Sequence, residues 1–186
     1  MDIYEMSPRI GIRQIDEIRQ RLEIGRDTYG KGKIAFDTAS QLCHILKDFV
    51  HIMEGYQVEN YRACATSTLQ EAENVWIVLE QVYQKTGIRV EILSNSEQRF
   101  FGYNSVAAKE ESFTKMIQKG TAIIEVGGGN MQSSLFDKDA LHTTQRFLLV
   151  GFRAREILQP FEYETHHYDK MVDEFVQHQI PRLNNR

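Results

Sequence analysis

The chain has 186 residues, a hydrophobic fraction of 41% and a formal net charge of −4 at pH 7. The hydrophobic fraction excludes a disordered protein, and the negative charge provides no basic field for nucleic acid or for an anionic membrane surface. A polyanionic ligand would therefore need a local binding site.

The N-terminus and the cysteines indicate the cellular compartment. No apolar run approaches the roughly 20 residues of a membrane span, and residues 1–5 lack the basic and apolar regions of a signal peptide. Cys43 lies in a helical pattern and Cys64 in a strand pattern, where we expect buried, reduced side chains. A disulfide or a catalytic thiol is the minor alternative. We therefore expect a cytoplasmic protein with no nucleic-acid partner and no membrane association.

The first elements combine one ambiguous segment with one regular helix. After a short strand at residues 3–6, residues 10–24 fit either a helix or a twisted strand, and three glycines end this segment: Gly25, Gly30 and Gly32. Apolar residues at helical spacing then predict a helix over residues 37–55, with Asp37 as its N-cap.

Strands and helices alternate through the middle of the chain. The pattern predicts a strand at residues 61–65, a helix at 69–86 and a second strand at 88–93. Such alternation is typical of parallel strands joined by a crossover helix. Two further helices are predicted, at residues 94–108 and 113–118.

From residue 120 onwards the pattern changes to consecutive strands. Three strands are predicted, at residues 121–126, 132–136 and 143–149, with turns rich in Gly or Asp between them. Two helices follow, at residues 152–158 and 168–179. The change from alternation to a meander indicates that a second lobe begins near residue 120.

The most informative motif is the glycine run between the first two of these strands, Gly127, Gly128 and Gly129. Three glycines allow positive φ and a close approach of backbone N–H groups to a ligand, which is how many proteins build concave anion sites. The acid before the run, Glu125, is placed to hold a metal ion beside that anion. An ordinary hairpin turn is the simpler alternative. The run is neither a Walker loop nor a dinucleotide fingerprint.

Two polar loops follow the predicted parallel strands. The first, A-T-S-T, contains Thr66 and opens a helix, and the second places Glu97 in the first turn of another helix. Free N–H groups at helix starts can bind anions, although on spacing alone a plain N-cap and a capping acid are the simpler explanations of these residues. If the strands are parallel, both loops emerge at the sheet edge where α/β proteins bind ligands.

These three loops together resemble motifs of the Ppx/GppA family of exopolyphosphatases and guanosine pentaphosphate phosphohydrolases. The sequence A-T-S-T-L-Q-E-A-E-N at 65–74 is similar to G-T-x-x-L/I-R-x-A-x-N, and I-L-S-N-S-E-Q-R at 92–99 to I-S-G-x-E-E-A-R. The third motif, E-V-G-G-G-N at 125–130, is similar to D-I-G-G-G-S. The resemblance implies an α/β fold with two RNase-H-like lobes of the actin-like ATPase superfamily, at residues 1–119 and 120–186.

The resemblance also implies ligands and roles. The expected substrate is polyphosphate or a guanosine polyphosphate, held in the cleft between the lobes with Mg²⁺. Glu97 is expected to orient the attacking water, and Glu125 to hold Mg²⁺. The phosphate-binding residues are expected to be Thr66, Gly127, Gly128, Gly129 and Asn130.

The chain departs from the family pattern at chemically important positions. Gln70 stands where the family has an arginine, Glu125 replaces an aspartate and Asn130 replaces a serine. Glutamine cannot replace the charged, planar fork that suits phosphate oxygens, and the longer Glu moves its carboxylate by about one methylene from the position that Mg²⁺ geometry requires. We expect weak or absent activity. The alternatives are a non-catalytic sensor of phosphorylated nucleotides, a protein-docking module and, less favoured, an ATP-dependent kinase lobe.

Both ends of the family fold are expected to be incomplete. The family's first strand with its D-x-G-S/T loop and the later G-G-T loop have no counterpart in the sequence. The first strand normally lies in the middle of the first lobe's sheet, so the strands around Ile3 and Tyr61 lose their shared neighbour. The sequence therefore predicts repacking, a strand swapped between two copies in a homodimer, or low stability.

Overall fold

The computed structural model describes residues 1–9, 11–109, 112–127, 129–147, 151–162 and 167–179. It is a mixed α/β structure with three small sheets in these ranges. The strands pair in parallel within residues 63–92 and antiparallel within residues 121–147, and the lobe boundary near residue 120 stays a prediction.

The N-terminal segment is a β-hairpin of β1 (Asp2–Ser7) and β2 (Gly11–Glu17). The ambiguous segment is thus a strand over Gly11–Glu17, residues 18–23 have no regular structure, and Ile24 begins the next helix. Antiparallel pairing with β1 supplies its hydrogen bonds, and its apolar side chains Ile12 and Ile15 stay exposed instead of forming a buried helical stripe. The first residue of that prediction, Ile10, lies outside the described residues.

A helix that the sequence analysis missed follows the hairpin. Helix α1 (Ile24–Lys31) contains Gly25 and Gly30, which suggested a loop. It ends at Gly32, which has a φ of 72° and donates its N–H to Thr28 O, so this glycine is a left-handed C-cap. Asp27 fixes the helix to the next one by accepting hydrogen bonds from Ala35 N at 3.0 Å and from the Thr38 hydroxyl.

The core of the first half lies between two long helices, α2 (Phe36–Gly55) and α4 (Val75–Thr86). It is formed by buried apolar residues that recur at helical spacing on these helices, together with neighbours from the preceding loops: Ile34, Ala39, Ala72, Val75 and Val78. The predicted N-cap is wrong by two residues, because the N-cap of α2 is Ala35 and Asp37 lies in the first turn of the helix.

The single helix predicted at residues 69–86 is divided into two. A short helix, α3 (Ser67–Gln70), precedes α4, and the chain between them docks on the loop after α1. Asn74 pairs with Ile34 in both directions, through Ile34 N to Asn74 Oδ1 and Asn74 Nδ2 to Ile34 O, each at 2.9 Å. Glu73 N also donates to Gly32 O. These tertiary hydrogen bonds replace the helical ones, which local sequence patterns do not reveal.

Two parallel strands, β3 (Ala63–Ala65) and β4 (Val90–Ile92), flank the crossover through α3 and α4. This confirms the predicted parallel pairing. In the described part of the chain, β1 pairs only with β2 and β3 only with β4. Cys43 is buried as predicted, but the prediction for Cys64 is wrong, because it lies exposed on β3.

The helices α5 (Asn95–Lys109) and α6 (Phe113–Ile117) lead to a three-stranded antiparallel meander. Its strands are β5 (Thr121–Val126), β6 (Met131–Asp137) and β7 (Ala140–Phe147). Strand β7 begins three residues earlier than predicted, because a two-residue turn precedes it. In that turn Lys138 and Asp139 have φ of 50° and 63°, as in a type I′ hairpin.

Two helices end the described structure, α7 (Gly151–Leu158) and α8 (Tyr168–Gln179), as the sequence predicts. Residues 148 and 149, which were predicted to belong to the third strand, lie outside the described residues. Helix α7 packs against α1, which connects the end of the chain to its first half. Within the described ranges, no helix has the length and apolar character needed to cross a membrane.

Candidate functional site

The glycine run forms the turn between β5 and β6, and its far end is packed against α1. Gly127 N donates to Asn130 O at 2.9 Å, and Gly129 and Asn130 are buried. Gly128 lies outside the described residues. A Cβ at position 129 would lie 1.8 Å from the Tyr29 hydroxyl oxygen and 3.1 Å from Ser67 Oγ. Only glycine fits there.

A cluster of hydroxyl groups lies beside the turn. The Tyr29 hydroxyl and Thr68 Oγ1 are 3.0 Å apart, and Ser67 is buried. The structure therefore brings Ser67 and Thr68 to the glycine turn, whereas the predicted ligand Thr66 is exposed one residue earlier. Because α3 has only 4 residues, it does not provide the helix N-terminal anion site that was considered for this loop.

Two arginines from the second half of the chain converge on one carboxylate beside this cluster. Arg146 Nη2 donates to Glu71 Oε1 at 2.9 Å, and Arg153 Nη1 donates to Glu71 Oε2 at 2.8 Å. The three side chains are only 17–25% exposed. The Arg153 guanidinium also lies over the Tyr29 ring, 4.8 Å from its centroid.

Glu125 lies near the end of β5, against Gly102 of α5. A Cβ at Gly102 would lie 2.8 Å from Glu125 Oε2, so this glycine makes room for the carboxylate. Glu125 is aligned with Gln132 and Arg146 across the three strands. Among the described residues, no three His, Cys, Asp or Glu side chains are grouped as metal ligands. The residues therefore do not build a protein-only metal site, and Glu125 is the single predicted ligand.

Glu97 is the first-turn acid of α5 and takes part in a capping box with Ser94. Ser94 N donates to Glu97 Oε2 at 2.8 Å, and Glu97 N donates to Ser94 Oγ at 3.2 Å. Hydrogen bonding from Ser94 lowers the pKa of Glu97, and the positive charge of Arg62 adds to this effect. The carboxylate is exposed and ionised at neutral pH. The hydrogen bond that it accepts comes from Ser94, at the start of its own helix.

Sequence reasoning missed the residues that depend on tertiary contacts. Tyr29, Glu71, Arg146 and Arg153 come from four separate elements, and no spacing connects them. A signal for Tyr29 was nevertheless present, since Gly32 is a helix C-cap and marks the residues before it as helical.

The fold defines an α/β protein of the actin-like ATPase class, with a glycine turn between two of its strands. The Ppx/GppA phosphatase family matches residues 3–146, which is more than half of the chain. The chain therefore belongs to the Ppx/GppA phosphatase family. No curated protein matches it significantly.

Solved structures of family members have the same fold. A crystal structure of the Aquifex aeolicus Ppx/GppA family member superposes with a TM-score of 0.68 at 18% identity, over 95% of this chain and 56% of that one. An exopolyphosphatase from Cytophaga hutchinsonii gives a TM-score of 0.61 at 15% identity, over 94% and 59%. An exopolyphosphatase-like protein gives 0.70 at 14% identity, over 91% and 54%.

These superpositions confirm the predicted fold class, and the match over residues 3–146 confirms the predicted family. At such low identity they establish the fold alone. The chain spans 54–59% of the length of these structures, so the activity of a complete relative does not transfer to it directly.

Proposed function

We propose that this chain carries the phosphate-binding half of a phosphoanhydride hydrolase of the exopolyphosphatase or guanosine pentaphosphatase type. The observation that supports it best is the meeting of the glycine turn at Gly129 with the hydroxyl groups of Ser67 and Thr68. Backbone N–H groups and hydroxyls are suitable donors for phosphate oxygens in a partly buried site. The substrate class is polyphosphate or a guanosine polyphosphate, and the protein acts in the cytoplasm.

The roles of individual residues follow from their chemistry. Glu97 is ionised and able to orient a water molecule by accepting its proton. Thr66 supplies a hydroxyl from the exposed side of the cleft between the lobes at residues 1–119 and 120–186. The turn itself grips the phosphate through Gly127, Gly128, Gly129 and Asn130.

Magnesium belongs to this proposal as an ion that arrives with the substrate. Mg²⁺ is commonly held by one or two carboxylates together with substrate phosphates and water, so Glu125 alone is compatible with that mode. When bound, the ion would neutralise charge on the phosphate oxygens. The chain's own contribution is the position of the Glu125 carboxylate, which Gly102 makes room for.

Weak turnover is part of the proposal. Gln70 replaces a guanidinium with a neutral amide, and its Oε1 is buried with no hydrogen-bond partner in the described part of the chain. Before Glu97 orients water, its carboxylate must also break the hydrogen bond from Ser94 N or share the Oε2 atom that accepts it. Both features reduce the stabilisation of the transition state relative to the bound substrate.

A non-catalytic sensor of phosphorylated nucleotides is the second candidate. The observation that favours it is the capping box, because a carboxylate held by Ser94 serves structure without any catalytic step. A sensor binds the same anion with the same turn and does not need Glu97 as a base.

A phosphate-release assay on the full chain distinguishes these functions. With polyphosphate or guanosine pentaphosphate and Mg²⁺, we expect turnover below about 1 s⁻¹, the lower end of the usual enzyme range. Residual turnover that Glu97→Gln abolishes supports the hydrolase, with Glu80→Gln on an exposed helix face as the matched control. Turnover of about 1 s⁻¹ or more contradicts the weak-activity proposal.

Calorimetry on the same samples completes the assignment. Binding of the polyphosphate without any hydrolysis favours the sensor. The absence of binding favours a protein-docking module and contradicts the phosphate-binding role of the turn.

A further inference from the structure

The space beside the glycine turn is filled by Tyr29, a residue without a role in the proposed hydrolysis. Its hydroxyl oxygen lies 3.0 Å from Thr68 Oγ1 and 1.8 Å from the point where a Cβ at position 129 would be. A phosphate oxygen bound by the turn and the Thr68 hydroxyl would need the same volume. Tyr29 and a phosphate group therefore exclude each other.

Contacts from the second half of the chain hold Tyr29 in this position. The guanidinium of Arg153 lies 4.8 Å from the centroid of the Tyr29 ring and is only 17% exposed. A cation over an aromatic face is more stabilising when it is desolvated. Glu71 orients this guanidinium through the 2.8 Å hydrogen bond from Arg153 Nη1. The ring is thus enclosed between the turn and a fixed cation.

The charges beside Tyr29 favour an anion. Two guanidinium groups, of Arg146 and Arg153, share the single carboxylate of Glu71, which leaves one positive charge of this group uncompensated. Arg146 Nε is buried and donates to no group among the described residues. An uncompensated guanidinium charge and a spare N–H donor are what a phosphate oxygen requires.

We infer that Tyr29 is a removable plug of the phosphate site. The phenol occupies the anion's position in the ligand-free protein, and phosphate binds only after the ring moves away from Gly129. Thr68, Ser67 and Arg153 then face the incoming anion. This inference rests on the proposed function, because it takes a phosphoanhydride as the anion. The apparent affinity of the chain is reduced by the fraction of molecules in which the plug is in place.

Calorimetric titration of the full chain with inorganic tripolyphosphate tests the plug. We expect Tyr29→Ala to bind at least about tenfold more tightly than the unmodified chain, and Tyr29→Phe to lie between them because only the hydroxyl is removed. Tyr83→Ala is the matched control. Tyr83 lies on another helix, α4, and its ring also contacts an arginine, with Arg89 Cζ 4.5 Å from the ring centroid. This control should bind as the unmodified chain does.

A ligand-free measurement keeps the test decisive. Gly129→Ala should lower the melting temperature in the unmodified chain and lower it less in the Tyr29→Ala background, because the clash with the hydroxyl is then absent. If the changes in melting temperature caused by Gly129→Ala and Tyr29→Ala are additive in the double variant, the plug is overturned.

The binding results separate the two proposals. Equal affinities of the unmodified chain and Tyr29→Ala overturn the plug and leave the phosphate-binding function intact. The absence of tripolyphosphate binding in every variant overturns both.

Discussion

The two halves of the candidate site are built in different ways. The glycine turn is surrounded by α1, α3 and α7, and its neighbours Tyr29, Glu71 and Arg153 are joined by contacts across long sequence separations. Glu97, in contrast, is exposed and held by Ser94, three residues earlier on the same helix start. The proposed anion site therefore depends on tertiary structure, whereas the proposed water-orienting group depends on local structure.

This difference has an energetic consequence. Removing one partner of a largely buried ion pair is costly, because the other charge is left unpaired away from water. An exposed capping group can instead replace its lost partner with water. Changes around the turn should therefore alter the stability of the whole fold. Changes around Glu97 should alter the properties of that carboxylate with little effect elsewhere.

Glu71→Ala should have the largest effect. It removes the carboxylate that both Arg146 and Arg153 contact and leaves two guanidinium groups largely buried and unpaired. We expect the free energy of unfolding to fall by about 2–3 kcal/mol, measured by urea denaturation.

The matched control for that change is Glu91→Ala. Glu91 also accepts from an arginine, Arg62, at 2.8 Å, but both side chains are more than half exposed. The loss of this exposed ion pair should lower the free energy of unfolding by less than about 1 kcal/mol. Equal losses for the two variants would contradict the distinction between the buried and the exposed pair.

Asp27→Asn should have an intermediate effect that depends on pH. Burial raises the pKa of Asp27, but hydrogen bonds from Thr38, Ala35 and Lys31 outweigh this and hold it below its ordinary value of 3.8. The ionised carboxylate therefore contributes stability above pH 3.8, which is lost as the pH falls through the folded-state value. At pH 7 the variant should lose about 1–2 kcal/mol of unfolding free energy.

The difference between Asp27→Asn and the unmodified chain should become smaller as the pH is lowered below 3.8 in urea denaturation experiments. Asp48→Asn, on an exposed position of α2, is the control and should change stability by less than about 0.5 kcal/mol. A difference that stays constant with pH would show that the charge of Asp27 does not matter.

Ser94→Ala should have the smallest effect. The hydroxyl of Ser94 is lost from the capping box, so the pKa of Glu97 should rise towards its ordinary value of 4.5. Carboxyl-detected NMR titration measures this shift directly. Ser96→Ala is the control, because the Ser96 hydroxyl contacts Arg99 and not the carboxylate. An unchanged pKa in Ser94→Ala would mean that the capping box does not hold Glu97 in solution.

The sequence predicted the elements whose patterns are local. The helix α2 and the strands β5 and β6 have strong periodicity, and the motifs at 65–74, 92–99 and 125–130 led to the family. Helix α1 was missed because Gly25 and Gly30 lie inside it. Helix α4 was predicted too long because Asn74 forms hydrogen bonds with Ile34, a residue 40 positions away.

The candidate site was predictable in the same partial way. The glycine turn and the capping acid Glu97 are visible in the sequence, because a turn and a helix start have local signatures. The occupant of the turn was not visible, since Tyr29 reaches Gly129 only through the packing of α1 against α3 and α7. Contacts between segments that are distant in the sequence determine whether the space beside a glycine turn is open or occupied by a side chain.

The tight turn at Lys138 and Asp139 has a consequence beyond its own geometry. Its two-residue length, together with the one-residue register shift between Leu135 and Phe136, sets the register of β7 on β6 and aligns Arg146 with Gln132 on the face of the sheet that leads to Glu71. Inserting one residue there would shift that register and turn Arg146 to the opposite face. The length of a turn that is far along the chain from Glu71 thus helps to determine where the positive charge of Arg146 lies in the proposed anion site. We therefore expect changes in the length of this turn to be less tolerated than substitutions in it.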